Sequence, residues 1–281
     1  MTNTDKLTLP IGVFDSGVGG LTVVKEIFHN LPNEKIIYFG DTARVPYGNK
    51  SAGTVIRYSK QIASFLVSQN VKTIVIACNT ASALALDALQ ETVDIPVIGV
   101  VEPGSIAAVK ATMNNRIGVI GTSGTIKSRL YEKYIRELNK DAVIIGKACP
   151  LFVSLVEEGM IDDPVTIEMI HRYLDQLVSG ADIDTLVLGC THYPLLRKVI
   201  ARELEKTEDA GNGRPVHLVN PAYETSLALK DLLEKNDLLN DAPISPADHK
   251  YYVSDDVESF RHFAKDITGL EITFAEQMIL G

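Results

Sequence analysis

Cysteine is scarce in this 281-residue chain: only Cys78, Cys149 and Cys190, odd in number and never in a C-x-x-C pair. That excludes a disulfide framework and argues against a structural zinc site. Long apolar runs are missing too. The richest stretch, Thr73 to Leu89, is interrupted by Asn79 and Asp87, so no membrane span is expected. Basic residues are few, 27 Lys and Arg against 36 Asp and Glu, for a net charge of −9 and no long Lys/Arg run. A nucleic acid is therefore not the expected partner. An anionic ligand must be held by backbone N–H groups, hydroxyls and helix N-termini rather than by a basic patch. The opening MTNTDKLTLP has neither a basic n-region nor an apolar h-region, which makes the cytoplasm the expected location.

What is present is an ordinary globular composition, 46% apolar and 22% charged, at a length that suggests two domains. Short apolar, β-branched runs alternate with longer amphipathic ones. Strands are predicted at IGVF (from Ile11), KIIYFG (from Lys35), TIVIAC (from Thr73), PVIGVV (from Pro96) and RIGVIG (from Arg116). More follow at AVIIGKA (from Ala142), TLVLGC (from Thr185), VHLVN (from Val216) and YYVS (from Tyr251). Near-continuous apolar strands suit parallel sheets buried on both faces. Helices are predicted over Ala52–Gln69, Ile126–Leu138 and Pro164–Val178, and a loop over Lys206–Pro215. The fold class is α/β, doubly wound.

The chain also resembles itself. TIVIACNTASAL (Thr73–Leu84) and TLVLGCTHYPLL (Thr185–Leu196) share four of twelve positions, one of them the cysteine. IGVFDSG begins 67 residues before Cys78, and IGVIGTSG begins 73 residues before Cys190. Duplication is the better explanation. Each of the two cysteines then sits where a strand ends and a helix begins, the place where open α/β sheets bind ligands. Facing domains would bring the thiols to opposite walls of one cleft. The crossing into the second domain is expected near Val101–Gly104.

Each motif has a structural reading beside the functional one. FDSGVGG (Phe14–Gly20) is not G-x-G-x-x-G. It reads as a turn needing glycine freedom with Asp15 or Ser16 as a cap, or as Asp15 and Ser16 projecting into the cleft. GTSGTIKS (Gly121–Ser128) fails as a P-loop because Ile126 stands where glycine is required; Thr122, Ser123 and Thr125 are left to capping or a small anion. In GDTARVPYG (Gly40–Gly48), Pro46–Gly48 reads as a turn and Asp41–Thr42 as a cap. Glu157 and Glu158 are by default solvated charges at a helix end, and Cys149 a packing residue. Cys78-Asn79-Thr80 and Cys190-Thr191-His192 carry the most information. His192 could be a core residue or half of a metal clip, but the other five histidines lack ligand spacing. A Cys–His hydrolase uses one nucleophile and leaves the second cysteine unexplained. Two matched thiols suit the movement of a proton across a stereocentre, base on one face and acid on the other.

FDSGVGG, YFGDTARVPYG, ACNTASA and GCTHYPLL, in that order over Phe14–Leu196, closely resemble glutamate racemases of the aspartate/glutamate racemase superfamily. The resemblance implies two pseudo-symmetric α/β domains, residues 1–100 with 219–281 and residues 101–218, with the active site in the cleft between them. It implies interconversion of L- and D-glutamate without cofactor or metal, supplying D-glutamate for peptidoglycan. Cys78 and Cys190 would be the acid/base thiols, Cys78 acting on D-glutamate and Cys190 on L-glutamate. Asp15 would assist Cys78, and His192 and Glu157 would assist Cys190. Asp15, Ser16, Tyr47, Gly48, Asn79, Thr80, Thr191 and His192 would bind substrate. Asp41 matches a further acidic position, and Asn220 stands where the pattern has Asp, at a peripheral contact. The implied partner is small-molecule glutamate, with no nucleic acid and no membrane; the oligomeric state, a homodimer included, stays open. The rivals are an aspartate or hydantoin racemase, and a two-domain solute-binding protein with no chemistry.

Overall fold

Every residue of Ile11–Asp15 (β1), Ile36–Gly40 (β2) and Thr73–Ile76 (β3) is buried, which is why these strands read as continuous apolar runs. The structure, a computed structural model, describes residues 6–209, 215–272 and 274–281. The chain forms two compact units, Met1–Val100 with Ala222–Gly281, and Val101–Pro221.

In the first unit, Val97–Gly99 (β4), Lys250–Val253 (β9) and Ala275–Gln277 (β10) complete a six-stranded sheet in the order β10-β9-β2-β1-β3-β4. Every pairing in it is parallel. The register Asp15↔Gly40, Phe14↔Ile76 and Gly40↔Val253 makes these strands end together. Asp15, Asp41, Cys78 and Ser254 therefore emerge along one carboxyl edge.

The second unit has four parallel strands: Arg116–Gly121 (β5), Val143–Ala148 (β6), Thr185–Gly189 (β7) and His217–Val219 (β8), in the order β6-β5-β7-β8. This repeats the order β2-β1-β3-β4 of the first unit, strand for strand. Gly121 pairs with both Ala148 and Gly189, so Thr122, Cys149 and Cys190 share the corresponding edge. The internal likeness around the two cysteines is thus a likeness of folded units.

Four local expectations are corrected. The helix predicted over Ile126–Leu138 is two, Ser123–Ser128 and Leu130–Leu138, broken at Arg129 in the left-handed region (φ 56°). Apolar spacing runs through the break and hides it. Lys206–Asp209 continues the helix Arg197–Asp209, while 210–214 lie outside the described residues. Neither Asp15 nor Ser16 caps the helix Leu21–Asn30, which starts at Gly20 with no side-chain cap. The glycines of FDSGVGG are there for space rather than for positive φ. A Cβ on Gly20 would meet Asp15 Cβ at 2.5 Å, and one on Gly17 would meet Val45 Cγ1 at 2.9 Å.

Candidate active site

In strand order 2-1-3-4, the direction in which successive strands are added reverses between the two central, parallel strands, and ligands bind outside their carboxyl ends. In the first unit that point lies between β1 and β3, and the sequence places Asp15-Ser16 and Cys78 there. Cys78 is the N-cap of the helix Asn79–Gln90, its Sγ accepting from the Ala81 N–H at 3.4 Å. The same sulfur donates to Ser16 Oγ at 3.5 Å. Asp15 is fully buried and its Oδ2 accepts from the Gly17 N–H at 3.0 Å, folding the turn back on itself. Asn79 and Thr80 occupy the first helical turn, both buried. The thiol thus sits at the positive end of a helix among hydroxyl, amide and carboxylate groups, a setting suited to an anionic, hydrogen-bonding ligand.

The loop after β2 supplies Tyr47 and Gly48. Tyr47 is buried within a short 3₁₀ turn, Tyr47–Asn49, that also carries half-buried Gly48. Asp41 stands at the N-cap position of the short 3₁₀ turn Thr42–Arg44, but its side chain makes no cap hydrogen bond. It is a buried hub, accepting from the Tyr47 hydroxyl, from Arg44 Nε at 2.8 and 2.9 Å, and from Ser254 Oγ at 2.9 Å. Arg44 in turn donates to Gln61 Oε1 at 2.6 Å and lies 4.0 Å over the Tyr58 ring. Burial, and then the Asp41 carboxylate, hold the Tyr47 phenol far above its ordinary range, so it stays a donor.

In the second unit the equivalent point lies between β5 and β7, at Thr122 and Cys190. Thr122 caps the helix Ser123–Ser128, accepting from the Thr125 N–H. Cys190 Sγ lies 3.8 Å from His192 Nδ1, and His192 Nε2 lies 2.9 Å from Glu157 Oε1. Glu157, rather than Glu158, carries the carboxylate on His192; it ends the helix Leu151–Glu157. Cys190, Thr191 and His192 are each about 6% exposed. Burial pulls the imidazole down, but the sulfur and the carboxylate outweigh it and raise His192 to about 10. The ring thus lies between the Cys190 sulfur and the Glu157 carboxylate. Cys149 is fully buried, and burial pushes its thiol up to about 12, so it stays protonated. Its carbonyl accepts from the Tyr193 hydroxyl at 2.8 Å.

Sequence reasoning passed over Arg44 and Ser254. Arg44 stands three residues after Asp41, a spacing that could have flagged the pair. Ser254, 213 residues away, gave no local signal. Among the described residues no cluster of His, Cys, Asp and Glu could hold a metal ion, and no helix is long and apolar enough to cross a membrane.

A model of the Asp/Glu/Hydantoin racemase family matches residues 11–222. The chain belongs to that family. Its relatives in the family include a glutamate racemase of Geobacter metallireducens, 53% identical over 87% of each chain. An isoform of glutamate racemase from Bacillus anthracis has a solved structure with a TM-score of 0.89, 41% identical, covering 97% of this chain and 98% of that one. Glutamate racemase from Francisella tularensis, solved in complex with D-glutamate, gives a TM-score of 0.87 at 40% identity, covering 98% of both chains.

Proposed function

We propose that this chain is a glutamate racemase that moves the α-proton between Cys78 and Cys190, without pyridoxal phosphate or metal, and supplies D-glutamate for peptidoglycan. The observation that carries the reading is the repeat. Two units of the same strand order each place one thiol at the switch point of their sheet. One thiolate breaks the Cα–H bond and becomes a thiol; the other thiol gives its proton to the opposite face and becomes a thiolate. The two sulfurs exchange protonation states with each turnover, and nothing is oxidised or reduced. In this reading Cys78 takes the proton from D-glutamate, with Asp15 beside it. Cys190 takes it from L-glutamate, with His192 and Glu157 as its relay.

The α-proton of an amino acid is very weakly acidic, so donors must meet charge that develops on the α-carboxylate. Asn79, Thr80, Thr191 and His192 are of the right kind, and Ser16, Tyr47 and Gly48 complete the binding set. The reading requires the domains 1–100 with 219–281 and 101–218 to hold substrate between them. It also keeps the expected cytoplasmic location and the absence of a nucleic-acid partner. The family relationship supports an amino-acid racemase, and the glutamate racemases among its relatives support glutamate over aspartate. The test is loss of optical rotation from L- and D-glutamate by protein stripped of pyridoxal phosphate and treated with chelator. Both should racemise, and aspartate only poorly; a strict need for added pyridoxal phosphate or zinc would refute the reading.

A further inference from the structure

Ser254 follows β9 directly, 213 residues from the loop it touches and beyond the 11–222 span of the family match. It is 6% exposed. Its N–H donates to the Gly40 carbonyl at 3.0 Å, extending the β2–β9 ladder by one bond. Its hydroxyl then works in both directions, donating to Asp41 Oδ1 at 2.9 Å and accepting from the Ala43 N–H at 2.8 Å. The next residue repeats the pattern, since Thr42 Oγ1 donates to the Asp255 carbonyl and accepts from the Asp255 N–H at 2.8 Å. Two consecutive residues of the C-terminal segment thus grip three consecutive residues, 41 to 43, at the root of the loop that ends in Tyr47 and Gly48.

We propose that Ser254 is a positioning residue for substrate: through Asp41 and the Tyr47 hydroxyl it sets the Pro46–Gly48 turn against Cys78. This rests on the glutamate reading above. Asp41 holds Tyr47 and Arg44 only while its own orientation is fixed. Arg44 Nε holds both carboxylate oxygens from three residues away, and Ser254 adds a second donor to Oδ1 from a chain-distant segment. Removing the hydroxyl takes the acceptor from the Ala43 N–H and leaves Asp41 Oδ1 to Arg44 Nε, and the loop root loosens. Such a change weakens binding of substrate and transition state alike, so it raises KM and spares kcat.

The test compares Ser254→Ala with Ser259→Ala, which removes an exposed cap in the same segment, where Ser259 Oγ donates to Asp256 Oδ2 at 2.6 Å. Ser254→Ala should raise KM for glutamate about tenfold with kcat changed less than about twofold. Ser259→Ala should leave both unchanged. Added to Tyr47→Phe, Ser254→Ala should change KM less than about twofold, because both act through one relay. Trypsin cleavage after Arg44, followed by mass spectrometry, should accelerate about tenfold in Ser254→Ala. Should that variant fail to fold, Thr42→Val opens the same grip and carries the same expectations. Unchanged KM and cleavage in a folded variant, or additive losses with Tyr47→Phe, would overturn the proposal. The tryptic measurement needs no racemase activity, so a wild type inert toward glutamate would refute the functional reading while the grip was still decided by cleavage.

Discussion

His192 carries the clearest pH signature at the scale of single residues. Its imidazole is raised from 6.5 to about 10, so protonation favours the folded chain. That contribution is complete below about pH 6.5, where the imidazole is charged folded or unfolded, and is lost as pH rises toward 10. The gap in thermal midpoint between wild type and His192→Asn should therefore narrow steadily from pH 6.5 to 10. A pH-independent gap would remove the relay. The three thiols should separate just as sharply. Cys78→Ala and Cys190→Ala should each abolish racemisation in a protein that still folds, since each loses one sulfur from a switch point. Cys149→Ala should keep most activity, because that thiol is buried, protonated and donates to the Lys147 carbonyl at 3.6 Å. Substantial racemisation by either of the first two variants, measured by polarimetry, would break the pairing.

At the scale of elements, the turn after β1 is held by close packing. Gly20 admits no Cβ, with Asp15 Cβ at 2.5 Å and the Tyr38 hydroxyl at 2.9 Å from where one would stand. Gly20→Ala should cost about 1–3 kcal/mol by urea denaturation and depress activity further, because Asp15 is what must shift. A neutral Gly20→Ala would show that the turn tolerates Asp15 elsewhere. How much of this was legible follows the same physics. β1, β3, β5 and β7 could be read because strands buried on both faces spell continuous apolar runs, and the cysteines could be placed because they end such runs. β10 was missed: of its residues, Ala275–Gln277, only Ala275 is half-buried and the other two are exposed, so that pattern is lacking. The break at Arg129 was missed because backbone handedness leaves apolar spacing intact. Asp41 showed only its local N-cap position because its partner Ser254 follows the neighbouring strand β9, 213 residues away, and no window of sequence contains both.

At the scale of the molecule, the first unit is closed by a buried ion pair far from any thiol. Lys72 Nζ lies 2.6 Å from Glu34 Oε2, both side chains 1% exposed, and donates to the Leu7 and Leu238 carbonyls at 2.7 Å. One ammonium thus ties together the N-terminal segment, the loop before β2 and the return of the chain from the second unit. Burial raises Glu34 and lowers Lys72, so neither charge is comfortable without the other. Lys72→Met should cost about 3–5 kcal/mol by urea denaturation, and adding Glu34→Leu should recover much of the loss. Failure of the second change to recover stability would mean that the carbonyl contacts, rather than the pair, close the unit.

In the proposed reading the duplication is what makes the chemistry: one fold, used twice, supplies one sulfur for each face of a carbon atom. Deuterium tests this most directly. In D₂O, early in the reaction from either isomer, product of the opposite hand should carry deuterium at the α-carbon while recovered substrate stays largely unlabelled. The sulfur that reprotonates has already exchanged with solvent, and the sulfur that abstracts rarely returns a deuteron before inversion is complete. A single base swinging between faces would instead carry the substrate's own hydrogen across. Appreciable retention of that hydrogen in product of the opposite hand, measured by mass spectrometry after chiral separation, would contradict two thiols on opposite faces.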